Sequence, residues 1–200
     1  MNSAWTRRAL TAFLLAVLVI CGMLLYRLWM ERVPPGTVSG EALIGGPFQL
    51  TDQDGNAVTE QTYQGKLMLI YFGFTYCPDA CPTALGVMSA ALDQLDVAAE
   101  RVVPILITVD PERDTPEVLK DYVSNFHPRM VGLTGTKEQV AQAAKAYRVF
   151  YEKMPGTAPD EYLMNHSLQL YLMGGDGKYI TYFPPDAKPE QIADEIRKHL

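Results

Sequence analysis

Residues 66–74 read KLMLIYFGF, an unbroken run of eight apolar residues after Lys66. That is too short to cross a membrane as a helix, and it has the character of a strand buried on both faces of a parallel sheet. Such a strand needs helices packed on either side of it. Two further runs have the same character, residues 102–109 (VVPILITV) and 168–173 (LQLYLM). Between them lie helical patterns over 116–126 and 137–147, and the tail 189–200 places Ile192 and Ile196 one turn apart. Gly174-Gly175-Asp176-Gly177 before residues 178–183 marks a hairpin, and Asp54-Gly55 closes a second one between 48–51 and 57–58. Strands alternating with helices, with an antiparallel pair near the end, predict an α/β chain folded as a three-layer sandwich around a mixed central sheet.

The first apolar run leads into residues 73–82, GFTYCPDACP, followed by an amphipathic pattern through Leu85, Met88, Leu92 and Leu95. Sites in α/β sheets lie at the carboxyl ends of strands, where a helix N-terminus favours negative charge, thiolate included. Cys77 and Cys81 both fall at that junction. Asp79 is a candidate N-cap, and Pro82 in the first turn costs no helical hydrogen bond. The i, i+4 spacing puts the two sulfurs on one face with Cα atoms about 6 Å apart. That separation permits a disulfide, and equally two thiolates converging on one ion. Two soft sulfurs suit Cu(I), Zn or a redox couple, so a third group must discriminate.

Only three histidines are available. His127 before Pro128 and His199 at the penultimate position are expected to be solvated. His166 precedes the 168–173 run and is expected at an edge of the same sheet, where a histidine more often serves as a structural hydrogen-bonder than as a ligand. Asp110 and residues 112–114 read as a loop, with Asp114 and Thr115 capping the helix that begins near Pro116.

Residues 9–26 carry no charge and span roughly 27 Å as a helix, enough with Arg27 and Trp29 at the interface to form one transmembrane anchor over 9–30. A cleaved signal peptide is the rival reading, but no small-x-small cleavage site follows. Cys21 lies inside this run as an apolar filler, which leaves Cys77 and Cys81 for chemistry. Residues 1–8 then form a cytoplasmic tail, residues 31–46 a Pro- and Gly-rich linker, and residues 47–200 the folded domain. The formal charge of −6 becomes 14 basic against 23 acidic side chains over residues 31–200, or −9, with no Lys/Arg block. A nucleic-acid partner is not expected from such a surface.

The motif GFTYCPDACP, then TVDPERDTP at 108–116, LTGT at 133–136 and Asn165-His166-Ser167 before a strand together resemble the SCO/SenC family of copper metallochaperones. The resemblance runs from about Pro47 to the C-terminus, with a matching membrane helix in front. It implies a thioredoxin-like fold that binds one copper ion, Cu(I) or Cu(II), through Cys77, Cys81 and His166. It also implies assembly of the dinuclear copper centre in subunit II of cytochrome c oxidase, with copper supplied by an upstream donor. The expected location is the bacterial inner membrane, single-pass, with the domain in the periplasm, or the intermembrane space in a mitochondrion. The acidic loop at 110–114 gains a role in docking the target. One departure concerns residue 165, where the family often has Asp and this chain has Asn165, so support of the imidazole is in question.

The resemblance favours a metallochaperone over an enzyme. The alternative is a thiol:disulfide oxidoreductase or redox sensor using Cys77 and Cys81, although three intervening residues replace the two of the common redox motif. A third reading is an anchored assembly factor that holds a partner on its acidic face and needs no metal.

Overall fold

The structure is a computed structural model that describes residues 14–15, 17–23, 44–156 and 161–200. Residues 14–15 and 17–23 are helical and exposed. Among the described residues no helix is long and apolar enough to cross a membrane. The expected tail at 1–8, most of the anchor at 9–30 and the linker up to 43 lie outside the described residues.

The folded unit is a seven-stranded sheet with helices on both faces. In chain order its elements are β1 (Gln49–Asp52), β2 (Ala57–Thr59), β3 (Leu67–Gly73), α1 (Ala80–Asp93), β4 (Val102–Thr108), α2 (Pro116–Ser124) and β5 (Val131–Thr134). There follow α3 (Lys137–Ala146), β6 (Tyr151–Met154), β7 (Leu163–His166), β8 (Leu170–Met173), β9 (Tyr179–Phe183) and α4 (Pro189–Arg197). The strand order is β2-β1-β5-β4-β3-β8-β9. β4 pairs in parallel with both β3 and β5, whereas β1–β2, β1–β5, β3–β8 and β8–β9 are antiparallel. The mixed α/β sheet expected from the sequence is therefore present.

Every residue of β3 and β4 is buried, as their lack of alternation requires. Side chains of a strand point alternately to the two faces. On one face Tyr71 and the bare α-carbon of Gly73 meet Cys81 of α1. On the other, Phe72 packs against Tyr147 at the end of α3, ring centroids 5.4 Å apart, and against Tyr171 of β8 at 6.3 Å. Fully burying each large side chain of such a layer is worth about 1.5–3 kcal/mol, so these two strands form the platform on which the rest is mounted.

The helix starts obey local chemistry. Thr115 caps α2 by accepting from Val118 N, with Pro116 in the first turn. Thr136 and Gln139 form a reciprocal capping box at α3. β5 was not legible, because four residues including Gly132 give little periodicity. Its glycine has a packing reason, since a Cβ there would stand 3.0 Å from Leu119 Cβ of α2. The sequence also concealed β6 and β7, which pair with each other as a two-stranded ribbon outside the main sheet. The expected strand at 168–173 begins only at Leu170, and His166 ends β7.

Gly73 is the tightest point of the platform. An added Cβ would lie 2.9 Å from both Cys81 Sγ and Tyr71 Cε1. Gly73→Ala is expected to destabilise the fold by about 1–3 kcal/mol through overpacking, measured by chemical denaturation. Wild-type stability in that variant would contradict the packing described.

Candidate metal centre

β3 is tied to β4 through its last carbonyl, since Val109 N donates to Gly73 O at 2.8 Å, and the chain then leaves the sheet at Phe74. The next residue is fixed from a distance. Thr75 donates its amide to Asp114 Oδ2 at 3.1 Å and its hydroxyl to Asp114 Oδ1 at 2.6 Å. Thr108, the last residue of β4, donates its hydroxyl to Asp114 Oδ2 at 2.6 Å and accepts from Asp110 N at 2.9 Å. Asp114 is fully buried, and burial raises its carboxyl pKa against the pull of these donors. The expected N-cap role therefore falls to Thr115 alone. Asp114 instead clamps the cysteine loop to β4, a role the sequence hid because its partners lie 39 and 6 residues away.

Beyond Thr75, Cys77 N donates to Phe74 O at 3.3 Å, turning the chain toward α1. Cys81 N, one of the helix-start amides without an intrahelical partner, donates to Cys77 Sγ at 3.3 Å. The sulfur thus does the capping that was expected of Asp79, which occupies the N-cap position but makes no side-chain capping bond. Cys77 is half-buried and Cys81 fully buried.

His166 reaches the pair from the β6–β7 ribbon rather than from the edge of the main sheet. Its Nδ1 lies 2.9 Å from Ser167 O, and because a carbonyl only accepts, Nδ1 carries the proton. Nε2 is then a lone pair, 3.5 Å from Cys81 Sγ. This is the tautomer a metal-ligating histidine needs, with the outer nitrogen held by a carbonyl. Phe74 and Tyr71 present T-shaped contacts to the ring, at centroid distances of 5.7 and 5.9 Å. Asn165 projects to the opposite, exposed side of the ribbon, so the imidazole is oriented by Ser167 and not by residue 165.

The donor atoms of Cys77, Cys81 and His166 all lie within 4.8 Å of one another. Cys21, His127 and His199 are not in this group. His127 is not solvated as expected: burial lowers its pKa, and Nδ1 accepts from Arg129 N at 3.1 Å. His199 lies against Glu195 at 3.2 Å. Two thiols and one neutral imidazole form a donor set for a soft or borderline ion. Structural zinc sites usually close with four ligands, and the described residues bring three together here.

A second brace was not legible in the sequence. Arg113 Nε donates to Asp110 Oδ2 at 2.5 Å and Nη1 to Tyr162 O at 3.1 Å, while the Tyr162 hydroxyl donates to Asp110 Oδ1 at 2.8 Å. The Arg113 guanidinium sits 3.6 Å from the Tyr162 ring centroid and 4.5 Å from that of Tyr76. These contacts join the β4–α2 loop to the residue before β7 and to the residue before Cys77. No local pattern links positions 49 residues apart.

Electrostatics overturns one expectation. Burial is the largest influence on Cys81 and pushes its thiol up, so the helix start does not hold it as a thiolate. Burial likewise lowers His166 and keeps it neutral. The sign of the pH dependence follows for Cys81. Its pKa in the fold lies above the ordinary 9.0, so its contribution to stability is complete below that value and is lost as pH rises beyond it. Under reducing conditions, denaturation midpoints are expected to fall more steeply above pH 9.0 in the wild type than in Cys81→Ser. Equal slopes would contradict burial as the dominant influence.

Comparison with known proteins follows this geometry. The SCO1/SenC family model matches residues 36–200. The human mitochondrial SCO1 homolog is 43% identical over 163 residues, which cover 80% of this chain and 54% of the human protein. The chain thus spans about half the length of the human relative. The copper-bound structure of Bradyrhizobium japonicum ScoI is 44% identical with a TM-score of 0.74, covering 78% of this chain and 99% of that one. BsSco, a member of the Sco family of cytochrome c oxidase assembly proteins described with a disulfide switch, is 25% identical with a TM-score of 0.61, over 78% of this chain and 92% of its own. These likenesses also carry the thioredoxin-like fold. The chain belongs to the SCO1/SenC family.

Proposed function

We propose that this protein is a membrane-anchored copper carrier that binds one copper ion through Cys77, Cys81 and His166 and serves assembly of the dinuclear copper centre of cytochrome c oxidase subunit II. The observation that carries the reading is the convergence of two sulfurs and an imidazole lone pair within 4.8 Å in a buried setting. Two soft sulfurs select Cu(I), and imidazole also suits Cu(II). The copper-bound Bradyrhizobium relative and the naming of BsSco among cytochrome c oxidase assembly proteins support the cargo and the process.

Copper is the cargo, so the site must both hold and release it. Loading displaces protons from the thiols, because the ligand is the thiolate. Cys81 and His166 are buried, whereas Cys77 is half-buried and is the sulfur from which ligand exchange with an acceptor begins. Exposed apolar side chains lie on the segments that carry the ligands: Tyr76 at 61%, Phe150 at 56%, Met154 at 52% and Leu163 at 49%. Such a cluster favours docking of a protein partner. The apolar run at 9–26 supports the anchor over 9–30, with the domain in the periplasm or, in a mitochondrion, the intermembrane space.

The closeness of the two thiols also favours a second reading, in which the pair reduces an acceptor disulfide by exchange and ends as the Cys77–Cys81 disulfide. Robust metal-free reductase turnover would select it. The two roles are compatible, since thiols must be reduced before copper binds.

His166→Ala is expected to weaken copper affinity by more than about 100-fold, because even outer partners of a ligand are worth 10–100-fold, while leaving the disulfide able to form. Competition with a copper chelator measures the first and thiol titration the second. Wild-type affinity would remove His166 as the third ligand. Deleting residues 9–30 is expected to move the chain from the membrane pellet to the soluble fraction, and retention in the pellet would contradict the anchor.

A further inference from the structure

Four buried side-chain polar atoms among the described residues have no hydrogen-bond partner: the hydroxyls of Tyr71 and Tyr122, Arg113 Nη2 and Gln169 Oε1. Each such group costs about 1–3 kcal/mol and needs a cause. Two of the four are phenols that share the electrostatic environment of both cysteines.

Tyr71 is the closer case. Its ring and Cys81 Sγ converge on the same vacant space, each 2.9 Å from where a Gly73 Cβ would be. Its ring also meets the His166 ring, centroids 5.9 Å apart. Its hydroxyl can donate, and it makes no hydrogen bond of regular geometry although Cys81 is its side-chain neighbour. The reason lies in the state of the sulfur. With Nδ1 of His166 protonated, the Cys81 S–H donates a hydrogen bond to Nε2, and a neutral thiol sulfur is a weak acceptor. A metal-bound cysteine is a thiolate, which accepts strongly.

We propose that Tyr71 donates a hydrogen bond to the Cys81 sulfur when copper is bound, and so sets the balance between Cu(I) and Cu(II). The hydrogen bond draws electron density from the sulfur and weakens its donation to the metal, which disfavours Cu(II) relative to Cu(I). The Tyr71 hydroxyl already neighbours this sulfur, without a hydrogen bond of regular geometry, and a thiolate is the stronger acceptor for it. This inference rests on the copper reading of the site.

The test uses the full-length chain in detergent, loaded with copper alone. Binding of one copper per chain by the wild type, lost in Cys81→Ser, is measured first, and its absence would sink the copper reading rather than this one. In Tyr71→Phe, which keeps the ring, copper still loads. The sulfur-to-copper charge-transfer band is then expected to move to lower energy, and the ratio of Cu(I) to Cu(II) affinity to fall several-fold. Metal-free stability is expected to be unchanged or higher, because an unsatisfied hydroxyl has been removed. An unshifted band and ratio would overturn the proposal, as would a loss of metal-free stability, which would show the hydroxyl already partnered. If Tyr71→Phe does not fold, replacing Tyr71 with 3-fluorotyrosine supplies a stronger donor and is expected to move both readouts the opposite way. No movement there overturns the proposal equally.

Discussion

The carboxylate of Asp114 is buried with three donors from Thr75 and Thr108, and the metal centre depends on where it holds them. Hydrogen bonds to a charged group contribute about 1.5–3 kcal/mol each, while burying a carboxylate costs several kcal/mol. Burial pushes the Asp114 carboxyl pKa up against these donors, and the three bonds fix where the loop leaves the sheet. It fixes Thr75 two residues before Cys77, on a loop that no sheet hydrogen bond reaches beyond Gly73. Cys77 then caps α1 through its sulfur, and the cap places Cys81 against Gly73.

Burial also sets the protonation of two of the ligand residues. Burial favours the thiol form of Cys81 and the neutral form of His166, whose ring is flanked by those of Phe74 and Tyr71. A copper ion that displaces the two thiol protons replaces their charge in full as Cu(II) and leaves one negative charge as Cu(I). Neutral side chains are also those an apolar interior tolerates at least cost. The half-buried Cys77 is the more exposed of the two sulfurs.

Much of this was legible in the sequence. β3 and β4 announced themselves by unbroken apolar runs, the start of α2 by Thr115 before Pro116, and the cysteine pair by its position at a strand-to-helix junction. The less legible parts depend on pairings between distant residues. β6 and β7 are mostly exposed and form a ribbon by pairing with each other, so neither shows the pattern of a core strand. His166 was visible as a residue, but its delivery by that ribbon and its Ser167 carbonyl partner were not. Thr75–Asp114 and Arg113–Tyr162 join segments 39 and 49 residues apart, and Tyr71 looked like one more apolar strand residue. The family resemblance supplied the three-ligand set that residue spacing alone left open.

The central claim is that one copper ion is held by two sulfurs and one imidazole of this chain. X-ray absorption spectroscopy of the full-length protein loaded with Cu(I) tests it most directly. The account predicts a three-coordinate copper whose nearest shell contains two sulfur scatterers and one nitrogen scatterer carrying the outer-shell pattern of an imidazole. A shell of sulfur alone, or one with a single sulfur, would contradict it.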